Sequence, residues 1–368
     1  MTVSQKQTGQ SGKTGLKLPT EPLDASRLKQ LRGKHLAGGQ GALTAKEALE
    51  MMVEGNGVHV LRVEASGASP AKRQARIDAD EADYLVIACS DARNPTLDSE
   101  EDGAELVGLQ SRVAGNVIPT EGVSLEEIKE AASHVKAGGL VLIAAHVHCG
   151  AVGEHVKWKK AGMGDTGSEP LNALLHAVGG ETPTDNAIAQ LSRLREFVGD
   201  DKNIGAVIYD WDHGEVEILV NEPSGLEETL KSKWTLWHNE SDSDGHLGER
   251  LSQTQKPHSI VVGSNNLPFS VDTIFAARQN EIFSTTGSEG GLDDFDEASV
   301  LYAVEHLGTK HIAFVAHGPN ANEMFDKWEA DLRTMGSVAE RLDSGQLLIT
   351  RMAYDLESGA AEPLQKAA

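Results

Sequence analysis

The chain has 368 residues, 39% of them hydrophobic, and a formal net charge of −23. That length and apolar content are enough for two domains, each with its own buried core. The acidity excludes a general nucleic-acid binder, because affinity for phosphate backbones comes from clustered Lys and Arg, and no apolar run approaches the roughly 18 residues that cross a bilayer.

The first thirty residues lack the apolar middle of a secretory signal, so a cytoplasmic protein with no membrane or nucleic-acid partner is expected. Residues 1–40 nevertheless carry Lys6, Lys13, Lys17, Arg27, Lys29, Arg32 and Lys34 against Glu21 and Asp24, a net of +5. Their Gly, Ser, Thr and Gln content reads as a flexible basic tail, suited to an acidic protein partner, with a short helix over residues 24–34. The stretch "GQSGKT" at Gly9 is no phosphate loop: Gln7 stands where that motif needs Gly, and no apolar strand precedes it.

From Thr44, "TAKEALEMMVEGN" has helical periodicity with a Thr cap and is expected to stop at Gly55. The runs "YLVIA" (84–88) and "LVLIAA" (140–145) are short, continuously apolar and separated by the helical pattern "SLEEIKEAASHVKAGG". Such runs predict α/β architecture, a mainly parallel sheet covered by helices on both faces.

The pattern then recurs. "SIVVGSNN" from Ser259 echoes "YLVIACSD", "ASVLYAVEHLGTKHIAFVAH" from Ala298 echoes residues 123–146, and "ITRMAYDLESGAAEPL" from Ile349 echoes "IGAVIYDWDHGEVEIL" from Ile204. Three matches in one order predict an internal duplication. The turn-rich "NEPSG" places the break at residues 222–225.

Chemistry concentrates at two strand ends. Cys89 follows the run 84–88, and His146 and Cys149 follow the run 140–145; these are the chain's two cysteines. The carboxyl ends of parallel strands are where open α/β sheets place their sites, so the three side chains are expected to converge. Two thiolates and an imidazole suit Zn²⁺, and three protein ligands leave a fourth position for water. Either cysteine alone would read as a small buried hydrophobe; together with a histidine three residues from Cys149, they read as a metal site.

"CSDAR" (89–93), "RVAGN" (112–116), "HVHCG" (146–150) and the closing "YD...G" strand resemble the β-class carbonic anhydrases, over most of residues 44–220. Val113 departs from the family's Asn, and residues 151–203 form a long departure after the second motif. The resemblance implies that Cys89, His146 and Cys149 bind one Zn²⁺ per chain and that Asp91 and Arg93 form a catalytic dyad beside it. It further implies reversible hydration of CO₂ to bicarbonate, or hydrolysis of COS or CS₂ on the same site; a non-catalytic scaffold is the remaining alternative. Zinc acidifies its water, although two thiolates leave that water less acidic than three imidazoles would, so an alkaline optimum is expected. Asp91 would orient the nucleophile while Arg93 keeps the carboxylate ionised. His148, His155 and His213 are candidate proton carriers, and Gly115 and Gly150 are expected to permit close backbone approach to the metal.

In the second copy Ser264, Asn266 and Pro268 stand at the cysteine, aspartate and arginine positions, and "HGPN" keeps His317 but offers Asn320 for the second cysteine. This half is expected to be metal-free. Because β-class clefts form at dimer interfaces, the resemblance implies two tandem β-carbonic-anhydrase-like domains, a catalytic one (41–222) and a degenerate one (225–368), arranged as an intrachain pseudo-dimer. Such chains are expected to form homo-oligomers. The carboxysomal shell enzymes similarly pair one active with one degenerate half, which admits a carboxysome-like compartment within the cytoplasm.

Overall fold

A computed structural model describes residues 25–38, 42–79, 81–91, 93–94, 108–213, 215–221, 245–252 and 254–364. The basic segment before residue 25 and the break at 222–225 lie outside the described residues. Among the described residues, no helix is long and apolar enough to cross a membrane.

The described residues form two five-stranded sheets with helices packed on them. The first contains β1 (Ala82–Cys89), β2 (Gly108–Val113), β3 (Val135–His146), β4 (Asn203–Asp210) and β5 (Glu215–Asn221), in the order β2-β1-β3-β4-β5. The second contains β6 (Ser259–Ser264), β7 (Ile282–Gly287), β8 (His311–His317), β9 (Leu348–Tyr354) and β10 (Ala361–Pro363), in the order β10-β9-β8-β6-β7. These are the same order traced from opposite ends. In each sheet four strands run parallel and the last in sequence is antiparallel. The apolar runs became strands for the expected reason: helices cover both faces, and Ile87, Val141 and Ile143 are fully buried.

The long segment after Cys149 forms three helices, α5 (Gly150–Lys160), α6 (Glu169–Ala177) and α7 (Pro183–Leu194), numbered after α4 (Val123–Ser133). Helices α1 (Ala25–Ala37), α2 (Ala45–Ser66) and α3 (Pro70–Ile77) precede the first sheet.

Helix α2 starts as expected, with reciprocal capping between Thr44 and Glu47, but it does not stop at Gly55. It continues to Ser66 and is capped by Gly67 at φ +70°. Gly55 instead permits a close approach, because a Cβ there would stand 2.1 Å from the carbonyl oxygen of Phe275. Although it precedes the first sheet in sequence, α2 packs on the second. Met52 and Val63 join a core with Val261, Phe269, Phe275 and Tyr354, each such buried side chain contributing roughly 1.5–3 kcal/mol. Asn56 donates to the Ile274 carbonyl (3.0 Å) and accepts from the Ala361 amide (2.9 Å). Arg32 on α1 adds an ion pair to Glu281 at 2.9 Å.

The two sheets meet along β2 and β7, the edge strand of each. Side chains and main chain satisfy edge groups that would otherwise be open. Thr286 Oγ1 accepts from the Arg112 amide (3.1 Å), Thr285 Oγ1 donates to the Arg112 carbonyl (2.9 Å), and the Ser284 amide donates to the Ser90 carbonyl (3.3 Å). Helix α6 packs on the helix Asp294–Glu305. One apolar cluster runs through the seam, with Cys89, Val113 and Cys149 on one side and Phe283, Leu301 and Tyr302 on the other.

Candidate metal centre

The parallel strands β1 and β3 lie side by side, with Ala88 opposite Ala144, so Cys89 and His146 emerge together at the sheet's carboxyl edge. A two-residue turn then brings Cys149 back as the N-cap of α5. The ligand atoms of Cys89, His146 and Cys149 all lie within 4.8 Å of one another, and all three residues are buried. The sulfurs are 3.9 Å apart.

Each donor is prepared for a soft or borderline cation. His146 Nδ1 donates to the Val147 carbonyl at 2.8 Å, which leaves the lone pair on Nε2, and that buried nitrogen makes no hydrogen bond. Burial pushes the Cys89 thiol well up, with the neighbouring sulfur adding to the effect. The hydrogen bond from Cys89 holds Cys149 below its ordinary value, helped by the Val152 and Ala151 amides at the start of α5. Two buried sulfurs and one imidazole nitrogen thus face a common point, an arrangement that a divalent cation would complete. The Gly115 amide donates to Cys89 Sγ at 3.2 Å, and Gly115 does so at φ +75°, where a side chain would be strained.

Asp91 and Arg93 sit beside this triad. Arg93 Nε and Nη2 donate to Asp91 Oδ1 and Oδ2 at 3.0 and 2.7 Å, and the Arg93 amide also donates to Oδ1 at 2.9 Å. Burial alone would raise the Asp91 pKa; the Arg93 guanidinium and its hydrogen bonds override it and hold the carboxyl below its usual range. Asp91 Oδ2 is 3.8 Å from His146 Nε2, so the ionised carboxylate borders the point on which the ligands converge. Arg112 fixes the loop from below, donating to the carbonyls of Cys89 and Asn94 at 3.2 Å each and facing Asp272 across the seam at 3.7 Å. Val113 is buried in the apolar cluster beside Cys89.

The histidines proposed as proton carriers are dispersed. His148 is exposed and pairs with Asp212 at 2.8 Å, His213 pairs with Asp210 at 2.8 Å, and His155 Nδ1 donates to the Leu175 carbonyl at 2.7 Å. None of the three joins the ligand triad.

Three further residues shape the centre. Trp211, just past β4, stacks on His146 with ring centroids 4.8 Å apart and lies under the Arg93 guanidinium at 4.2 Å. Tyr302 reaches it from the second half, its hydroxyl so close that a Cβ on Gly150 would stand 2.3 Å from it, and Phe283 lies beside Tyr302 with ring centroids 6.2 Å apart. Local sequence offers no signal for these contacts, since each joins elements far apart in the chain.

No family model and no curated protein matches the chain. Solved structures do, in part. A Coccomyxa β-carbonic anhydrase in complex with acetazolamide aligns at 15% identity and TM-score 0.33, over 39% of this chain and 88% of its own. A carbon disulfide hydrolase aligns at 15% identity and TM-score 0.29, over 39% of this chain and 82% of its own. A β-carbonic anhydrase of the filamentous fungus Aspergillus fumigatus aligns at 16% identity and TM-score 0.25, over 31% and 92%.

Proposed function

We propose that this chain is a zinc-dependent carbonic anhydrase that hydrates CO₂ reversibly to bicarbonate. The observation that carries the proposal is the convergence of Cys89 Sγ, His146 Nε2 and Cys149 Sγ beside an ionised Asp91 paired to Arg93. Zinc is the metal proposed, because two sulfurs and one imidazole nitrogen form a borderline-soft set with room for a fourth ligand. When bound, it would supply Lewis acidity that lowers the pKa of water, less far than with three imidazoles because two thiolates donate charge.

The chain's own residues do the rest. Ionised Asp91 can only accept hydrogen bonds, so it orients a donor in the site with its lone pair towards the incoming carbon. Arg93 holds that carboxylate in place through three hydrogen bonds. Apolar walls from both halves, including Phe283 and Tyr302, limit access of bulk water and suit a small apolar substrate.

In this proposal residues 41–222 carry the chemistry, residues 225–368 wall the cleft as the second half of a pseudo-dimer, and each chain holds one zinc. The identical strand orders and the seam-spanning apolar cluster support that division. Stopped-flow CO₂ hydration on metal-analysed protein tests the proposal, with COS and CS₂ run beside it. One zinc per chain with CO₂ turnover is expected; full zinc loading with turnover of CS₂ or COS alone would reassign the substrate, and no turnover of any would overturn the enzyme.

A further inference from the structure

We propose that Trp211 is a positioning residue, a single aromatic plate that fixes the Asp91–Arg93 pair in register with the ligand His146. For its turnover arm this rests on the function proposed above. The indole lies nearly parallel to the His146 imidazole, at 24° and 4.8 Å, and the Arg93 guanidinium carbon lies 4.2 Å from its ring centroid. The two contacts fix different degrees of freedom. Stacking sets the plane of a ring whose Nδ1 is already tied to the Val147 carbonyl, and so sets the direction of Nε2. The cation–π contact closes a face of Arg93 whose edge is already committed to both oxygens of Asp91. Arg93 is thereby held on face and edge at once, and Asp91 with it.

The plate is itself rigidly mounted. Trp211 is buried and packs with Val86, Ala88 and Tyr209 of the first sheet and with Leu247 and Leu251 of the helix Leu247–Ser252. The second sheet supplies an independent comparison. His146 pairs in register with Tyr209, and His317 pairs in register with Tyr354, so the residue two past the tyrosine is Trp211 in one sheet and Leu356 in the other. Leu356 is also buried, and its carbonyl accepts from Arg73 Nε at 2.8 Å. The position needs an apolar side chain in both sheets; it holds an aromatic plate in the sheet that also has the guanidinium and the thiols, and none where Pro268 replaces the arginine.

A merely space-filling Trp211 and a positioning Trp211 differ in which replacement they tolerate. Trp211→Phe keeps an aromatic face, while Trp211→Leu keeps apolar bulk and the side chain found at Leu356; if leucine unfolds the chain, Trp211→Met takes its place. Both variants of the full-length protein are compared at matched metal content and thermal midpoint. Trp211→Phe is expected to keep kcat within about threefold, and Trp211→Leu to lose on the order of 10²-fold in kcat with KM little changed, because the loss is of orientation. Equal kcat for the two would overturn the proposal. The Co²⁺-loaded proteins give a readout independent of turnover: the visible ligand-field bands should keep the wild-type pattern in Phe and shift in Leu. If the metal-loaded wild type turns over no substrate, the function above fails and the cobalt bands alone decide this inference; bands unchanged in Leu overturn it.

Discussion

The carboxyl ends of the two sheets are built on equivalent strands in matching register, and each ends in a histidine, yet they differ in every other group that matters to a metal. At the first, Cys89, His146 and Cys149 bring two sulfurs and one nitrogen together, with a buried ion pair beside them. At the second, the corresponding places hold Ser264, His317 and Asn320, with Asn266 and Pro268 where the ion pair stood. The second set satisfies itself: Ser264 Oγ donates to Asn266 Oδ1 at 2.7 Å, Asn266 Nδ2 donates to the His317 carbonyl at 3.3 Å, and His317 Nδ1 donates to the Tyr354 carbonyl at 3.0 Å. A strand scaffold therefore positions ligands but does not create them. Neutral oxygen and amide groups close on one another, whereas the two sulfurs meet beside an unpartnered His146 Nε2 and leave a polar vertex that a cation can complete.

The largest expected effect breaks the first site down towards the second. Cys149→Ala, or Cys89→Ala, should lose bound zinc entirely under dialysis, since two ligands hold the ion far less well than three. Metal analysis of the purified variants checks this, and stoichiometric zinc in either one would sink the assignment. Asp91→Asn gives the residue found at Asn266 and should keep the metal. Turnover is expected to fall by roughly 10²-fold or more, because a neutral amide neither pairs with Arg93 nor serves as a pure acceptor. Wild-type turnover in that variant would make the pair structural.

The seam shows a second, milder asymmetry. Ser299 Oγ of the second half accepts from the Ala114 amide of the first at 3.0 Å, a neutral contact. In the other direction Glu127 of α4, in the first half, is bonded to Ser288 of the second, and burial, with Asp293, Glu130 and Glu289 nearby, raises its pKa to about 7. A raised carboxyl pKa means that the folded chain holds a proton which the unfolded chain releases near its ordinary value of 4.5. The contribution is therefore fully present below that value and is lost as pH rises towards 7. Glu127→Gln should match wild type in thermal midpoint at pH 4 and exceed it by a few degrees at pH 8. A constant difference across that range would show that Glu127 titrates as an ordinary surface acid.

What could be read from sequence was what depends on neighbours along the chain. Apolar runs bounded by turns mark β1 and β3, and Cys89, His146 and Cys149 at or just past their ends come together as a cluster positioned to hold a metal, because parallel strands deliver their termini to one edge. Helix α2 runs past Gly55 for a tertiary reason: a glycine in mid-helix reads as a stop along the sequence, although here it serves contact with Phe275. Trp211 and Tyr302 could not be placed from sequence, since one reaches the site from β4 and the other across the seam, and neither position carries a spacing rule.

The smallest expected effect tests the comparison most directly, because it asks whether the retained histidine of the second sheet still matters to chemistry. His317→Ala removes the bond to the Tyr354 carbonyl, a loss of about 0.5–1.5 kcal/mol in stability. It leaves the Asn266 contact in place, since that amide is bound by the main-chain oxygen of residue 317 and not by the ring. Metal content should therefore stay at one per chain, and turnover should be unchanged, in contrast to the collapse expected from Cys149→Ala. If the wild type carries two ions per chain and His317→Ala only one, the second sheet holds an ion after all, and the difference between the two ends is one of affinity and not of kind.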